Sequence, residues 1–333
     1  MVASNKLNAN KEECGRITQT RTDPNWGCSP RRIKNSGWFE GRKYTAGRLS
    51  LGQETDQQFY VYDATLMVIK GHCDHDKISS ALAEEGLTPI RTTDGRAFVS
   101  IWLNIIRDSV CGAYHEIVIS IDATQSGEKS EIDISSKSNP YRHLYNNFGS
   151  SVCKCQFMHS LYINSPNSIA WGREMQAFPK HTDPVISLVE DNHDCFKTNI
   201  QWQEDLILKA SVRKQFGPAQ FAKQGLGLVS GNGPFRMLKF LTNKQISMPI
   251  QMPLKIAQQY DLPFQYMAVT RKGLNPNAVQ CWPWGNGDML ELGNVVRESG
   301  SEANNGHDLI RQADFTPTVV TYLPFMQAYI GDA

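Results

Sequence analysis

The sequence predicts an α+β fold, mostly antiparallel β, in one large domain. Short runs rich in β-branched and aromatic residues recur from Phe59 onward, whereas helical periodicity is scarce. No internal repeat and no clear linker interrupts the stretch between Tyr60 and Tyr329. Many strands with few helices favour an antiparallel barrel or sandwich, because each strand must bury one face against another layer.

An irregular N-terminal extension, residues 1–55, precedes the domain, residues 56–333. The extension is rich in Asn, Lys, Arg, Gly and Ser and lacks apolar periodicity. The pattern changes at Phe59–Gly71, "FYVYDATLMVIKG", whose β-branched and aromatic residues predict the first strand.

A short helix is predicted directly after this strand. Asp74 or Asp76 can cap its start, and Gly86 is expected to end it, because glycine readily adopts the left-handed conformation of a helix terminus. One apolar face is predicted from the spacing of Ile78, Ala81 and Leu82.

Two longer strands, Arg96–Arg107 and Ala113–Ala123, are joined by "DSVCG" and predict a hairpin. The polar stretch 124–150 is expected to be a long excursion. Strand character returns at Cys153–Asn164.

A second helix is predicted over Ser168–Phe178. Pro179 stops it, since the residue before a proline is disfavoured in the helical region. Short strand-like runs then fill the rest of the chain: PVISLVE, LILKASVRKQF, FRMLKFL, FQYMAVT, MLELGNVV and TPTVVTYL.

The composition argues against some classes of binding partner for this protein. The formal net charge of +1 argues against nucleic acid, because a phosphate-binding surface needs a basic excess. No apolar run approaches the 18 or so residues of a spanning helix, so no membrane partner is expected. The polar N-terminus has no signal-like apolar region, and Cys153 and Cys155 form C-x-C rather than a zinc or redox spacing. These features predict a reduced, cytoplasmic protein.

No cofactor or metal is predicted. The cluster "GLGLVSGNG", Gly225–Gly233, lacks the spacing of a dinucleotide-binding or phosphate loop. The group "HCDHD", His72–Asp76, lies where a strand gives way to a helix, and capping already explains its aspartates. No G-x-S-x-G elbow of an α/β-hydrolase is present.

Two residues remain as candidates for chemistry. Glu116 lies on a predicted strand face shared with Tyr114, because alternate strand residues point the same way. Lys180 directly follows Pro179 behind an apolar and aromatic segment. Taken alone, each is most simply a solvated or salt-bridged residue.

The segment "YINSPNSIAWGREMQAFPKH", Tyr162–His181, resembles the active-site segment of the acetoacetate decarboxylase family. "GAYHE", Gly112–Glu116, is similar to the Y-x-E segment of that family. The first resemblance rests, without a gap, on Tyr162, Ile169, Ala170, Gly172, Arg173, Glu174, Ala177, Phe178, Pro179 and Lys180.

The resemblance implies a fold and a role for each residue. It implies a cone-shaped, mostly antiparallel β-barrel with a few flanking helices, in a homo-oligomer. It implies that Lys180 forms a Schiff base with a keto substrate and that Glu116 is a pocket glutamate. A free lysine has a pKa near ~10.4, which burial must lower because only the neutral amine attacks a carbonyl. The expected substrate-binding residues are Tyr114, Phe178, His181, Met175 and Ala64.

Three departures from the family pattern bear on the substrate. His181 stands where the family often has a second lysine, and a histidine is only partly charged near neutral pH. A family arginine aligns near Ala64, and a family acid near Ser100 or Ile101. The loss of these charges predicts a wider, less polar pocket and a keto substrate larger than acetoacetate.

Three hypotheses follow. The first is a carbon–carbon lyase, catalysing a decarboxylation or a related aldol or dehydration step through Lys180, in specialised, polyketide-like metabolism. The second keeps the fold without covalent catalysis, as a cyclase or isomerase. The third is a non-catalytic ligand-binding barrel in which Lys180 pairs with Glu116 or Glu174.

Overall fold

The structure is a computed structural model. It describes residues 46–48, 54–56, 59–138, 155–181, 185–191, 194–202, 204–215, 245–254, 265–270, 280–285, 287–295 and 305–331. Most of the N-terminal extension, Cys153, the glycine cluster Gly225–Gly233 and the predicted strand at 235–241 lie outside the described residues.

Strands dominate the described ranges. They run β1 Ala46–Arg48, β2 Glu54–Asp56, β3 Phe59–Asp74, β4 Leu87–Pro89, β5 Arg96–Ser109, β6 Tyr114–Gln125, β7 Cys155–Ile163, β8 Lys180–His181, β9 Val185–Asp191, β10 Cys195–Trp202, β11 Asp205–Arg213, β12 Gln245–Gln251, β13 Gln265–Thr270, β14 Gln280–Pro283, β15 Met289–Leu292 and β16 Thr316–Gly331. The α-helices are α1 His75–Leu82, α2 Pro166–Gln176 and α3 Gly306–Gln312, and a 3₁₀ turn spans Ala83–Glu85.

Most strands belong to one ten-stranded sheet. Its order is β4-β6-β5-β3-β16-β13-β12-β7-β8, with β14 beside β16, and β7 also pairs with β6. Only the β7–β12 and β7–β8 pairings are parallel among the described strands. A second, antiparallel sheet has the order β15-β11-β10-β9. The mostly antiparallel α+β prediction is confirmed, whereas the closed, cone-shaped barrel stays a prediction.

The long strands β3, β5 and β6 bury both faces, because their side chains alternate between two cores. The larger core lies against α1, α3 and the second sheet and includes Met67, Ile69, Leu103, Ile119, Leu82, Ile310 and Phe196. The other core lies against α2 and includes Phe59, Trp102, Val118, Leu161, Trp171 and Met326. The candidate site lies within this second core.

The first predicted helix is confirmed in position. Asp74 caps α1, accepting a hydrogen bond from the Lys77 backbone N–H at 3.0 Å. Gly86 ends the following turn with a left-handed φ of 64°. Ile78 and Leu82 are buried, but Ala81 is exposed, so the predicted apolar face was wrong by one residue.

The predicted hairpin is also confirmed, with longer strands than expected. β5 and β6 pair antiparallel, with Trp102 opposite Val118, Asn104 opposite Glu116 and Ile106 opposite Tyr114. All six side chains face the second core or its cavity. No helix in the described part of the chain has the length and apolar character needed to cross a bilayer.

Candidate active site

Lys180 is placed by the end of helix α2. Ser165 caps the start of this helix and Pro166 occupies its first turn. Ala177 adopts a left-handed φ of 53°, and its N–H is hydrogen-bonded to the carbonyl of Arg173. Helix α2 therefore ends before Pro179 is reached, and the chain turns back so that Lys180 pairs with Leu161 of β7.

Arg173 holds the backbone in place where the chain turns back after helix α2 to reach Lys180. Its Nε donates to the carbonyl oxygen of Lys180 at 2.9 Å, and its Nη2 donates to the same oxygen. The backbone N–H of Phe178 adds a hydrogen bond to the carbonyl of Gly172 at 2.9 Å. The arginine of the motif thus fixes the position of the lysine backbone.

The Lys180 side chain is buried, with 4% of its surface exposed. Its Nζ donates to the Ser168 carbonyl oxygen at 2.8 Å and lies 3.0 Å from the Ser168 hydroxyl oxygen. The rings of Phe59 and Phe178 lie 5.8 and 5.5 Å from Nζ. A purely structural Lys180 was expected to form an ion pair with Glu116 or Glu174. No such ion pair is among the contacts described for this amine.

A small cavity of about 60 Å³ lies in front of the amine. Its polar lining comes from Lys180, Glu116, Asn104 and Tyr114, and the rest is apolar or aromatic: Phe59, Val61, Trp102, Ile106, Val118, Met158, Leu161, Trp171, Phe178, Met326, Ala328 and Ile330.

Burial shifts the titration of this group of side chains. It lowers the pKa of Lys180, because an ammonium ion is poorly solvated there, and the Arg173 charge lowers it further. Glu116 opposes this shift. Burial likewise raises the pKa of Glu116, against the opposing effect of Lys180, and raises the pKa of Tyr114. The cavity therefore favours an uncharged amine beside an uncharged carboxyl group.

Four of the predicted site residues lie together at this cavity: Lys180, Glu116, Tyr114 and Phe178. Met175 is buried in the surrounding core but does not line the cavity. The side chain of His181 lies outside the described residues. The sequence thus predicted residues that the structure brings together at one cavity, and their roles stay a prediction.

Ala64 does not line the cavity, which corrects the prediction made for it. It pairs with Ile106 on one side and with Met326 on the other, and these longer side chains form the cavity wall. The pairing register of β3 shifts between Asp63 and Ala64. Whether the loss of the family arginine widens the pocket stays a prediction.

Sequence reasoning missed Ser168, Trp102 and Asn104. Ser168 lies 12 positions before the lysine, and its role arises only because α2 packs across that side chain. Trp102 and Asn104 could have been found from the alternation that places them opposite Val118 and Glu116. The described residues contain no group of three or more His, Cys, Asp or Glu suited to a metal ion.

The fold and site define a mostly antiparallel α+β protein with a buried lysine at an apolar cavity. The chain belongs to the acetoacetate decarboxylase (ADC) family, whose profile matches residues 49–250. The resemblance carried by the Tyr162–His181 segment is therefore confirmed. This family includes decarboxylases and related enzymes, which supports the prediction that this chain is an enzyme.

Several solved structures are similar to this chain, at low sequence identity. An acetoacetate decarboxylase is 15% identical, with 82% of this chain and 85% of that chain covered and a TM-score of 0.42. Acetoacetate decarboxylase from Legionella pneumophila is 14% identical, with 87% of each chain covered and a TM-score of 0.45. The enduracididine biosynthesis enzyme MppR, complexed with pyruvate, is 11% identical, with 89% and 91% covered and a TM-score of 0.39. No curated protein matches by sequence.

Proposed function

We propose that this chain is an enzyme whose Lys180 amine forms a Schiff base with a keto substrate. The reaction would be a decarboxylation or a related aldol or dehydration step. The observation that carries the proposal is the burial of the amine at a mostly apolar cavity, where its described hydrogen bonds go to Ser168 alone.

The hydrogen bonding suits a neutral amine. A neutral amine has two N–H groups and one lone pair. The carbonyl and hydroxyl oxygens of Ser168, at 2.8 and 3.0 Å, can accept both N–H groups. The lone pair is then free to attack a carbonyl carbon, which a protonated lysine cannot do.

Glu116 suits the proton transfers that follow. Attack forms a C–N bond, and the electron pair of the C=O bond moves to oxygen. A proton then passes from nitrogen to that oxygen, giving a carbinolamine. Glu116, in its acid form, protonates the carbinolamine hydroxyl; water leaves and the nitrogen lone pair forms the iminium. The resulting Glu116 carboxylate balances the iminium charge, and the iminium accepts electrons from the bond that breaks next.

The size of the cavity bears on the substrate. Its volume of about 60 Å³ lies well below the roughly 300 Å³ at the lower end of small-molecule pockets. A keto substrate larger than acetoacetate, as in specialised, polyketide-like metabolism, requires lining side chains to move. Met158 and Met326 are the most adaptable of these, because methionine has an unbranched, flexible side chain.

The non-covalent cyclase or isomerase is the second candidate. The two contacts with Ser168 are also compatible with an ammonium group that only donates hydrogen bonds. In that case Lys180 would polarise the substrate without bonding to it. The two candidates differ in whether a covalent adduct forms.

Borohydride trapping separates them. The protein is incubated with a panel of keto compounds, reduced, digested and analysed by mass spectrometry. The proposal expects an adduct on Lys180, and none on Lys70 or Lys214, two buried lysines bonded to Asp122 and Glu190. Lys180→Arg should abolish the adduct. Turnover without any adduct, retained in Lys180→Arg, would exclude the Schiff base.

A further inference from the structure

We propose that the cavity beside Lys180 selects an uncharged carbonyl compound over a keto-acid anion, and that Trp102 and Asn104 hold its polar group. The inference rests on the proposed function and specifies the substrate class. It derives from buried polar atoms of cavity-lining residues that have no hydrogen-bond partner among the described residues.

Trp102 and Asn104 present these atoms. The indole Nε1 of Trp102 and the amide oxygen of Asn104 are buried and make no hydrogen bond with the part of the chain that the structure describes. The two residues are 8% and 6% exposed. Buried polar atoms are nearly always hydrogen-bonded, so two such atoms in residues that line one cavity point to a place for a ligand.

The β5–β6 ladder aims these groups at the reacting centre. Trp102 and Asn104 are alternate residues of β5, so both point into the cavity. Asn104 lies directly opposite Glu116 on β6. A substrate carbonyl beside Lys180 can therefore place a second polar group within reach of Trp102 and Asn104.

The Tyr114 hydroxyl is a third polar group at this cavity. It is buried and lies near Ser168 and Glu116, with which it can share hydrogen bonds. A substrate oxygen can accept from this hydroxyl as well as from the indole. Apart from Lys180 and Glu116, the polar positions around the cavity wall are thus neutral donors and an amide.

The charges of the site disfavour an anion. Among the described residues that line the cavity, Lys180 is the only one whose side chain can be a cation, and burial lowers its pKa. Glu116 would repel a carboxylate whenever it is ionised. The indole donor and the amide are uncharged, and an amide stays uncharged whichever way it is turned. A buried carboxylate without a cationic partner is strongly disfavoured.

The covalent step requires no further reactant. Lys180 Nζ adds to the substrate carbonyl carbon, a C–N bond forms, and the carbonyl oxygen leaves as water. A substrate without a free carboxylate then uses the iminium as electron acceptor for cleavage of a carbon–carbon bond or for loss of water. Loss of CO₂ is not the step in that case.

A matched pair of probes tests the selectivity. Acetoacetate and acetoacetamide have the same carbon skeleton and nearly the same size, and they differ in charge. The rate at which each probe forms a borohydride-trapped adduct on Lys180 is measured. Each rate is then divided by the rate at which the same probe forms an adduct with a free lysine derivative. We expect the normalised rate for acetoacetamide to be at least about tenfold higher. An equal or higher rate for acetoacetate overturns the inference, whereas no adduct with either probe overturns the proposed function instead.

Trp102→Phe tests the indole donor. This variant keeps an aromatic ring and removes the N–H, and it should slow trapping of acetoacetamide several-fold. Trp282→Phe is the matched control, because the Trp282 indole N–H is also buried and unpartnered but lies in the other core. Equal rates in the two variants, each folded by circular dichroism, would refute the role of Trp102. Asn104→Leu should likewise slow trapping of acetoacetamide.

Discussion

Gly172 and Lys180 pass so close together that a β-carbon at position 172 would lie 2.2 Å from Lys180 Cε and 2.4 Å from its Nζ. Such distances are far inside van der Waals contact. Gly172 lies within helix α2, where glycine is about 1 kcal/mol less favourable than alanine. The glycine therefore gives the lysine side chain a path across the helix at the expense of helix stability.

Gly172→Ala should separate chemistry from folding. The added methyl group must displace the Lys180 amine from Ser168, so we expect trapping of keto probes on Lys180 to fall by at least about tenfold. The free energy of unfolding should change by only about 1 kcal/mol, because the gain in helix propensity offsets part of the strain. Gly285→Ala is the control, since a β-carbon there meets no atom closer than 3.8 Å. Unchanged trapping in Gly172→Ala would show that the close passage is irrelevant to reactivity.

Ser168→Ala should weaken the chemistry more than the fold. The variant removes the hydroxyl acceptor at 3.0 Å from Nζ and keeps the carbonyl acceptor at 2.8 Å. We expect trapping to slow by about tenfold, as the amine loses one of two hydrogen bonds that orient it.

Ser165→Ala should weaken the fold more than the chemistry. Ser165 caps helix α2 by accepting from the Ser168 N–H at 3.3 Å and does not contact the amine. Its loss should lower the free energy of unfolding by about 1 kcal/mol and change trapping much less. Urea unfolding and trapping rates are measured for both variants. If Ser165→Ala slowed trapping as much as Ser168→Ala, the hydroxyl contact would have no specific role.

Glu116→Gln should change the pH dependence of the reaction. Burial raises the pKa of Glu116, so its acid form persists to higher pH than usual, and the rate should fall as pH rises through that raised value. Glutamine cannot donate the proton, so this limb of the profile should vanish and the maximal rate should drop by about 100-fold. Rates of adduct formation between pH 4 and pH 9 provide the test. An unchanged profile in Glu116→Gln would assign the proton transfer to another group.

Local sequence patterns predicted the elements that the site depends on. The two helices before position 180, the β5–β6 hairpin and strands β7, β9, β11, β13 and β16 all occur where expected, because each carries a strong local pattern. Strands β10 and β12 and helix α3 were not predicted. α3 spans only seven residues, and tertiary packing of Ile310 rather than local periodicity stabilises it.

The grouping of Lys180 and Glu116 at one cavity was predictable from the sequence, but the contacts around them were not. The motif located Lys180 and Glu116, whereas the cavity wall depends on how far β3 shifts its register at Ala64. A pairing shift cannot be read from strand alternation, which is why Ala64 was misplaced. Tyr162 shows the same limit, because it contacts His307 in the other core, with 2.6 Å between its hydroxyl and Nδ1.

Lys180→Met should stabilise the protein at neutral pH, and Lys70→Met should destabilise it. Lys180 is buried with a lowered pKa, so between that value and about 10.4 the unfolded chain binds more protons than the folded chain. Wild-type stability should therefore rise with pH across this window, and Lys180→Met should remove the rise and increase the free energy of unfolding at pH 7.

Lys70 provides the opposite case in the same fold. It is equally buried, but its Nζ is 2.5 Å from Asp122, and Lys70→Met leaves that carboxylate without its partner. Removing one member of a buried ion pair costs about 3 to 5 kcal/mol. Urea unfolding of both variants and the wild type from pH 6 to pH 10 makes the comparison. If Lys180→Met were destabilised as strongly as Lys70→Met at every pH, the Lys180 amine would be a structural cation, and the argument for a neutral nucleophile would fail.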